Sequence, residues 1–252
     1  MKELIVDKLE VKIMPNRTEM GQVAANDIIA AIKALLQKKA EINMIFAAAP
    51  SQNDVLKALV ESDVEWNRVN AFHMDEYIGL NKAAPQGFGN FLVEHIFGQV
   101  PFKSINLIDC EAKDPEEECT RYEKLLAEHP VDIIVLGIGE NGHIAFNDPW
   151  VANFKDTRMV KTVLLDEVCR QQQVNDGCFE CLEQVPRKAI TLTCPVFIHA
   201  PKLFCIVPAI TKAQAVRRTL QGAINEECPA TVLREHDSAV LYLDADSASL
   251  LD

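Results

Sequence analysis

The stretch of this chain best suited to acid–base chemistry is Gly137-Ile138-Gly139-Glu140-Asn141-Gly142-His143-Ile144-Ala145-Phe146-Asn147-Asp148-Pro149. Three glycines within six residues let the backbone adopt φ > 0 and approach a ligand closely. His143 follows at once, and imidazole is the side chain best matched to proton transfer near neutral pH. Asp148, five residues beyond, is placed to hold that imidazole in one tautomer. So polar a loop at the end of an apolar block is not explained by stability alone and points to function. Asp75-Glu76-Tyr77 offers a second centre. Adjacent residues of an extended chain point to opposite sides, so only one carboxylate can face a pocket. Asp75 is the better candidate for a base, although a pair of helix-capping acids accounts for the segment equally well on local grounds. His73 alternates with Asp75 and can reach the same face, where it would influence that carboxylate's pKa.

Two further segments suit an anion. Ser51 and Asp54 in Ala49-Pro50-Ser51-Gln52-Asn53-Asp54 have a capping-box pattern. A helix starting there would aim free N–H groups and its positive dipole end at a phosphate, but the segment alone reads as an ordinary N-cap. It lacks the glycines of a nucleotide-binding loop. In Pro208-Ala209-Ile210-Thr211-Lys212, Thr211 is a candidate N-cap that puts Lys212 in the first helical turn. A cation there is disfavoured by the macrodipole unless a bound anion is shared; a solvated lysine is the alternative. His95, His129, His199 and His236 read as structural or solvated. Among eight cysteines, Cys178-Phe179-Glu180-Cys181 is a C-x-x-C without a partner motif at zinc spacing or a thioredoxin-like context. Reduced thiols are expected, with Cys194 and Cys205 in the core, and no metal.

The elements that must position these groups are legible as apolar blocks at 42–48, 69–74, 131–136, 189–192, 203–207 and 239–243. Each is continuous rather than alternating, as in parallel sheets. Amphipathic stretches at 20–37, 54–61, 88–97, 114–128 and 212–221 lie between them. The alternation predicts an α/β fold with an open, mostly parallel sheet and helices on both faces, as one domain over 1–252. Ligands then bind outside the carboxyl ends of the strands, where the candidate residues fall. Glu116-Glu117-Glu118 reads as a solvated helix face, and 148–156 and 171–177 as surface or lid loops.

Composition narrows the classes. With 252 residues, 48% hydrophobic and 25% charged, the chain can bury a sizeable core. No apolar run is long enough to span a bilayer, and residues 1–7 lack the apolar region of a secretory signal, so a cytoplasmic location is expected. The net charge of -12 repels nucleic acid and anionic lipid, so an anionic substrate requires a local positive site.

Together, Met74-Asp75-Glu76-Tyr77-Ile78-Gly79-Leu80 and residues 137–149 resemble the two signature segments of glucosamine-6-phosphate deaminases, and the similarity runs over most of the chain. The wider superfamily holds galactosamine-6-phosphate isomerases and 6-phosphogluconolactonases. Lactonases carry Asp-Glu-Arg in place of Asp75-Glu76-Tyr77, and Ala-Ser-Leu-Phe-Pro in place of residues 145–149, so the amino-sugar branch fits better. The resemblance implies a Rossmann-like fold, a phosphorylated amino sugar as substrate and no cofactor; it leaves a homo-oligomer open. It assigns Asp75 as the base moving a proton between C2 and C1 of the opened sugar, and His143 as the group assisting ring opening. Asp148 stands where the family usually has a Glu orienting the histidine. Lys212 matches a phosphate-binding lysine; Ser51, Gln52 and Gly139 fall in ligand-facing loops. The chemistry implied is proton transfer through an enolamine, then water attack at C2 with loss of ammonia. Three departures stand out. Asn141 replaces a second Asp and cannot take up a proton; a galactosamine branch also carries Asn there. The phosphate loop is Ala49-Pro50-Ser51-Gln52 rather than glycine-rich. An expected phosphate-binding arginine is displaced, with Arg170 nearby. Arg158 matches a position linked to regulation in some relatives, which does not by itself imply regulation here. A lactonase-like hydrolase and a non-catalytic sugar-phosphate sensor are the competing readings.

Overall fold

A computed structural model describes residues 1–251. The strands are β1 (Lys2–Val6), β2 (Leu9–Met14), β3 (Ile42–Phe46), β4 (Val69–His73), β5 (Asp75–Tyr77), β6 (Ser104–Asn106), β7 (Ile133–Leu136), β8 (Val160–Leu164), β9 (Lys188–Leu192), β10 (Leu203–Val207) and β11 (Ala239–Asp244). The α-helices are α1 (Arg17–Leu36), α2 (Asn53–Val60), α3 (Phe88–Leu92), α4 (Pro115–Glu128), α5 (Glu167–Asn175), α6 (Cys194–Ile198) and α7 (Ala213–Gln221). Eight strands form one sheet in the order β1-β2-β11-β10-β7-β3-β4-β6. Only β1 is antiparallel, joined to β2 as a hairpin; every other neighbour is parallel.

The central strands are apolar on both sides because helices cover both faces. Met44, Phe46, Ile133, Val135 and Ile206 pack with α1 and α2, whereas Ile45, Ile134, Leu136 and Cys205 pack with α4, α6 and α7. The period-two alternation of a strand delivers successive residues to opposite faces, so a continuous apolar run is what such a sheet demands. At α1, Asn16 supplies the N-cap, accepting from the Glu19 N–H at 2.9 Å. Among the described residues, no helix is long and apolar enough to cross a membrane.

The open, mostly parallel sheet with helices on both faces matches the fold read from the sequence. Three elements depart from that reading. The 189–192 block is a strand, but it lies in a separate antiparallel sheet, β5-β9-β8, rather than in the parallel one. Residues 171–177 are not a loop, since most of them lie in α5. The buried face of α5 consists of Cys169, Arg170, Gln172 and Gln173, so hydrophobic periodicity has almost nothing to report there. Glu116-Glu117-Glu118 is not simply a solvated face. Glu118 is buried, accepting from the Asp109 N–H and pairing with Arg121, and Glu116 binds Arg158 and Thr162.

Candidate active site

The carboxyl ends of β3, β7 and β10 open into one pocket. Asp75, His143, Ser51, Gln52, Gly139 and Lys212 all line it.

The Asp75-Glu76 pair divides its work. Glu76 accepts from the N–H groups of Tyr77, Phe88 and Gly89 at 2.8–3.1 Å, so it holds the start of α3. Asp75 points the other way, into the pocket, because β5 pairs with β9 in extended register. It is only 6% exposed, and burial, together with the Glu76 charge, pushes its carboxyl well above the ordinary value. His73 does not tune it. That imidazole is fully buried, and its Nε2 accepts from the Ile108 N–H at 2.8 Å. Burial drives its pKa down to about 3, so His73 stays neutral as part of the core.

His143 is held from behind. Its Nδ1 lies 2.8 Å from Asn141 Oδ1 and 3.1 Å from Asp148 Oδ1. Asn141 Oδ1 also accepts from the His143 backbone N–H, while its Nδ2 donates to Asp148 Oδ1 at 2.9 Å, which sets the amide's orientation. Both neighbours of Nδ1 are therefore acceptors, so Nδ1 carries a proton, and in the neutral imidazole Nε2 is the nitrogen with the lone pair. Burial would raise the Asp148 carboxyl, but the bond and charge of His143, with the bonds from Asn141 and the Asp166 N–H, outweigh it and hold the pKa below the ordinary value. Asn141 and Asp148 stand behind His143 and do not line the pocket themselves.

The glycines act differently from the sequence expectation. Of Gly137, Gly139 and Gly142, only Gly142 has a positive φ, at +90°. Gly139 is required by space: a Cβ there would meet the His143 ring at 2.1–2.4 Å. Its N–H also donates to the His143 carbonyl at 2.9 Å, closing the loop on itself.

The two anion-suited segments share a construction the sequence did not reveal. Neither Ser51 nor Thr211 is an N-cap. Residues Pro50–Gln52 and Ile210–Lys212 are single 3-10 turns that run directly into α2 and α7, and neither helix has a side-chain cap. Two uncapped helix starts thus border the pocket. Ser51 Oγ accepts from Gln52 Nε2 at 3.0 Å, and Asp54, freed from capping, binds Arg17. The turn before Lys212 is fixed by Asp244, whose carboxylate accepts from the Ala209 N–H. Ala209 has φ 81° and ψ 148°, a region nearly confined to glycine. Lys212 is 5% exposed and forms no ion pair among the described residues. Burial lowers its pKa, partly countered by Asp176 and Glu140.

Arg170 is not at this site. Its guanidinium donates to the Val185 and Leu182 carbonyls, tying α5 to the 182–185 turn. Arg170→Ala is therefore expected to cost roughly 2–3 kcal/mol of stability, seen as a lower thermal midpoint, with the substrate KM of the folded protein nearly unchanged. A large rise in KM would return Arg170 to the phosphate site. The pocket instead receives Arg17, which nothing in the sequence marks, and Gln172, Gln173 and Asp176 from the segment 171–177 that reads only as a surface or lid loop. Arg17 follows β2, whose apolar residues alternate with Glu10 and Lys12 and so form no continuous block. Nothing local marks the glutamines of α5.

Known proteins resemble this chain over most of its length. A family model described as "Glucosamine-6-phosphate isomerases/6-phosphogluconolactonase" matches residues 15–242. A glucosamine-6-phosphate deaminase of Listeria monocytogenes is 39% identical over 212 residues, covering 84% of this chain and 88% of that protein. One of Streptococcus sanguinis is 34% identical over 236 residues, covering 94% and 96%. Among solved structures, a monomeric glucosamine-6-phosphate deaminase superposes with a TM-score of 0.86 at 28% identity, covering 95% of this chain and 99% of that one. The 6-phosphogluconolactonase of Trypanosoma brucei reaches 0.80 at 16% identity, covering 100% of both chains, and shares the fold. The chain belongs to the glucosamine-6-phosphate isomerase/6-phosphogluconolactonase family.

Proposed function

We propose that the protein is a glucosamine-6-phosphate deaminase, converting its substrate to fructose 6-phosphate and ammonia. The observation that carries this reading is a buried Asp75 carboxylate without a hydrogen-bond partner among the described residues, in the same pocket as a His143 imidazole whose Nε2 is free. Two proton-transfer groups, one carboxylate and one imidazole, suit a reaction that first opens a ring and then shifts a proton between adjacent carbons.

In this scheme the sugar phosphate lies against Lys212, Ser51 and the starts of α2 and α7, where positive charge is concentrated despite the acidic chain. His143 Nε2 exchanges the proton that moves between the anomeric hydroxyl and the ring oxygen on opening. The Nδ1–H bonds to Asn141 and Asp148 keep the ring in the tautomer this needs. Asp75 then takes the C2 proton, leaving an enolamine, and returns it to C1. Water adds to the resulting C2 imine, and ammonia leaves. Because Asn141 is neutral, Asp148 supplies the only carboxylate hydrogen-bonded to His143 among the described residues.

An assay of ammonia and ketose phosphate formation from glucosamine 6-phosphate, with galactosamine 6-phosphate and 6-phosphogluconolactone in parallel, tests the reading. Absence of ammonia from both amino sugars sinks it; turnover of the lactone alone favours the hydrolase. Within the same assay, Lys212→Ala is expected to raise KM about 10- to 100-fold, the loss of one charged hydrogen bond to phosphate. An unchanged KM would place the phosphate elsewhere.

A further inference from the structure

Behind His143 lies a thiol that the proposed reaction does not use. Cys169 is on the buried face of α5, 1% exposed, and its sulfur lies against Asp148. The candidate ligand atoms of His143, Asp148 and Cys169 all lie within 4.8 Å of one another. We propose that these three side chains form a binding site for a thiophilic divalent cation, Zn2+ or Cd2+, and that its occupation shuts the active site.

The donor set argues for the class of ion. One imidazole nitrogen, one carboxylate oxygen and one sulfur suit zinc or cadmium rather than magnesium or calcium, which take oxygen donors. Bonds of about 2.0–2.3 Å place neighbouring ligands of a tetrahedral ion roughly 3.3–3.8 Å apart. His143 Nδ1 and Asp148 Oδ1 stand 3.1 Å apart, close to that separation before any ion is present. Cys169 needs only to close on them by a small side-chain movement. Three protein ligands leave a fourth position for water, and Asn141 Oδ1, 2.8 Å from His143 Nδ1, is a further oxygen beside the site. All three residues are buried, which keeps competing water from the ion once it is bound.

The inhibitory consequence follows from the tautomer and rests on the proposed role of His143; the binding does not. A cation on Nδ1 displaces that nitrogen's proton to Nε2, and the Cys169 thiol proton is released to solvent. The bonds from Nδ1 to Asn141 and Asp148 are broken. His143 then presents an N–H to the substrate where the reaction needs a lone pair.

Metal-free protein is titrated with Cd2+ while two signals are followed: the ultraviolet thiolate-to-cadmium absorption and the rate of ammonia release. The expected result is a stoichiometric absorption band that rises as turnover falls, both reversed by EDTA. Cys169→Ser should weaken the response by more than the roughly 10- to 100-fold that loss of an outer-shell partner costs, and Asp148→Asn should also weaken the band. The paired change Cys178→Ser with Cys181→Ser should leave both signals intact. Circular dichroism confirms that each variant is folded. An equal response in wild type and Cys169→Ser overturns the site, as does its disappearance in the Cys178/Cys181 variant. A band that forms without loss of turnover overturns the inhibitory role. If metal-free protein releases no ammonia, the deaminase reading fails, and the Cd2+ band still decides the site.

Discussion

Asp75→Asn is expected to lower kcat by roughly 10³-fold while leaving KM nearly unchanged, because it removes the base and keeps the side chain's shape. The amide cannot accept the C2 proton, and no other unpaired carboxylate faces the pocket from β5, since Glu76 is committed to the start of α3. The same residue sets the pH dependence. Its pKa is raised by burial and by Glu76, and the reaction needs the ionised form. In the wild type, kcat/KM should therefore climb with pH through a limb lying above the ordinary carboxylate range. Stability should run the other way. A folded pKa above the unfolded one favours the protonated fold, so this contribution is full below the unfolded pKa and is lost as pH rises through the folded one. Asparagine has no proton to lose. Between those two pKa values, the stability of Asp75→Asn should thus gain on the wild type by about 1.4 kcal/mol per pH unit, read as a thermal midpoint that closes on and then passes that of the wild type. Near-wild-type turnover in the variant would show that Asp75 is not the base. A midpoint difference independent of pH would show that it is not held in the raised state.

Gly139→Ala is expected to cost about 10²-fold in kcat without unfolding the protein. The added Cβ would stand 2.1 Å from His143 Cε1, 2.2 Å from Nε2 and 2.4 Å from Nδ1, distances that real atoms do not tolerate. The ring must leave, yet its place is fixed by Asn141 and Asp148, so moving it breaks the bonds that set its tautomer. The stability cost is that of overpacking, roughly 1–3 kcal/mol. Gly137→Ala is the natural comparison. Its nearest neighbours are Gln52 Nε2 at 3.1 Å and the Ile206 carbonyl at 3.3 Å, so a small adjustment suffices and a much smaller loss should follow. Equal kcat values for the two variants would remove the steric account of Gly139. Full activity in a Gly139→Ala protein whose circular dichroism matches wild type would do so as well.

Both predictions depend on residues that were visible in the chain before any fold was known, but for reasons that were not. Local reading singled out His143 from its setting after a buried block. Asp75 stays undecided on sequence alone, because base and capping acid look alike over three residues. The answer came from pairing: β5 lies in register with β9, far along the chain, and that ladder turns Asp75 inward and Glu76 toward α3. Ser51 and Thr211 looked like caps and are parts of 3-10 turns, since the helices behind them start without a cap. Arg170 stands near the position of an expected phosphate-binding arginine, but its guanidinium is used up by two carbonyls of the 182–185 turn.

The sequence by itself determined the fold class and the central strands, because continuous apolar runs separated by amphipathic stretches have few packing solutions. It also determined the His143 loop and the family, through short contiguous motifs. Only the tertiary structure decided which side chains share the pocket. Arg17 pairs with Asp54 across 37 positions, the polar face of α5 carries no periodic signal, and Cys169 reaches His143 only because α5 packs behind its loop. Spacing along a chain records what neighbours within one element do. It is silent on groups that meet only when separate elements fold together, and at this pocket those groups include Arg17 and the polar side chains of α5.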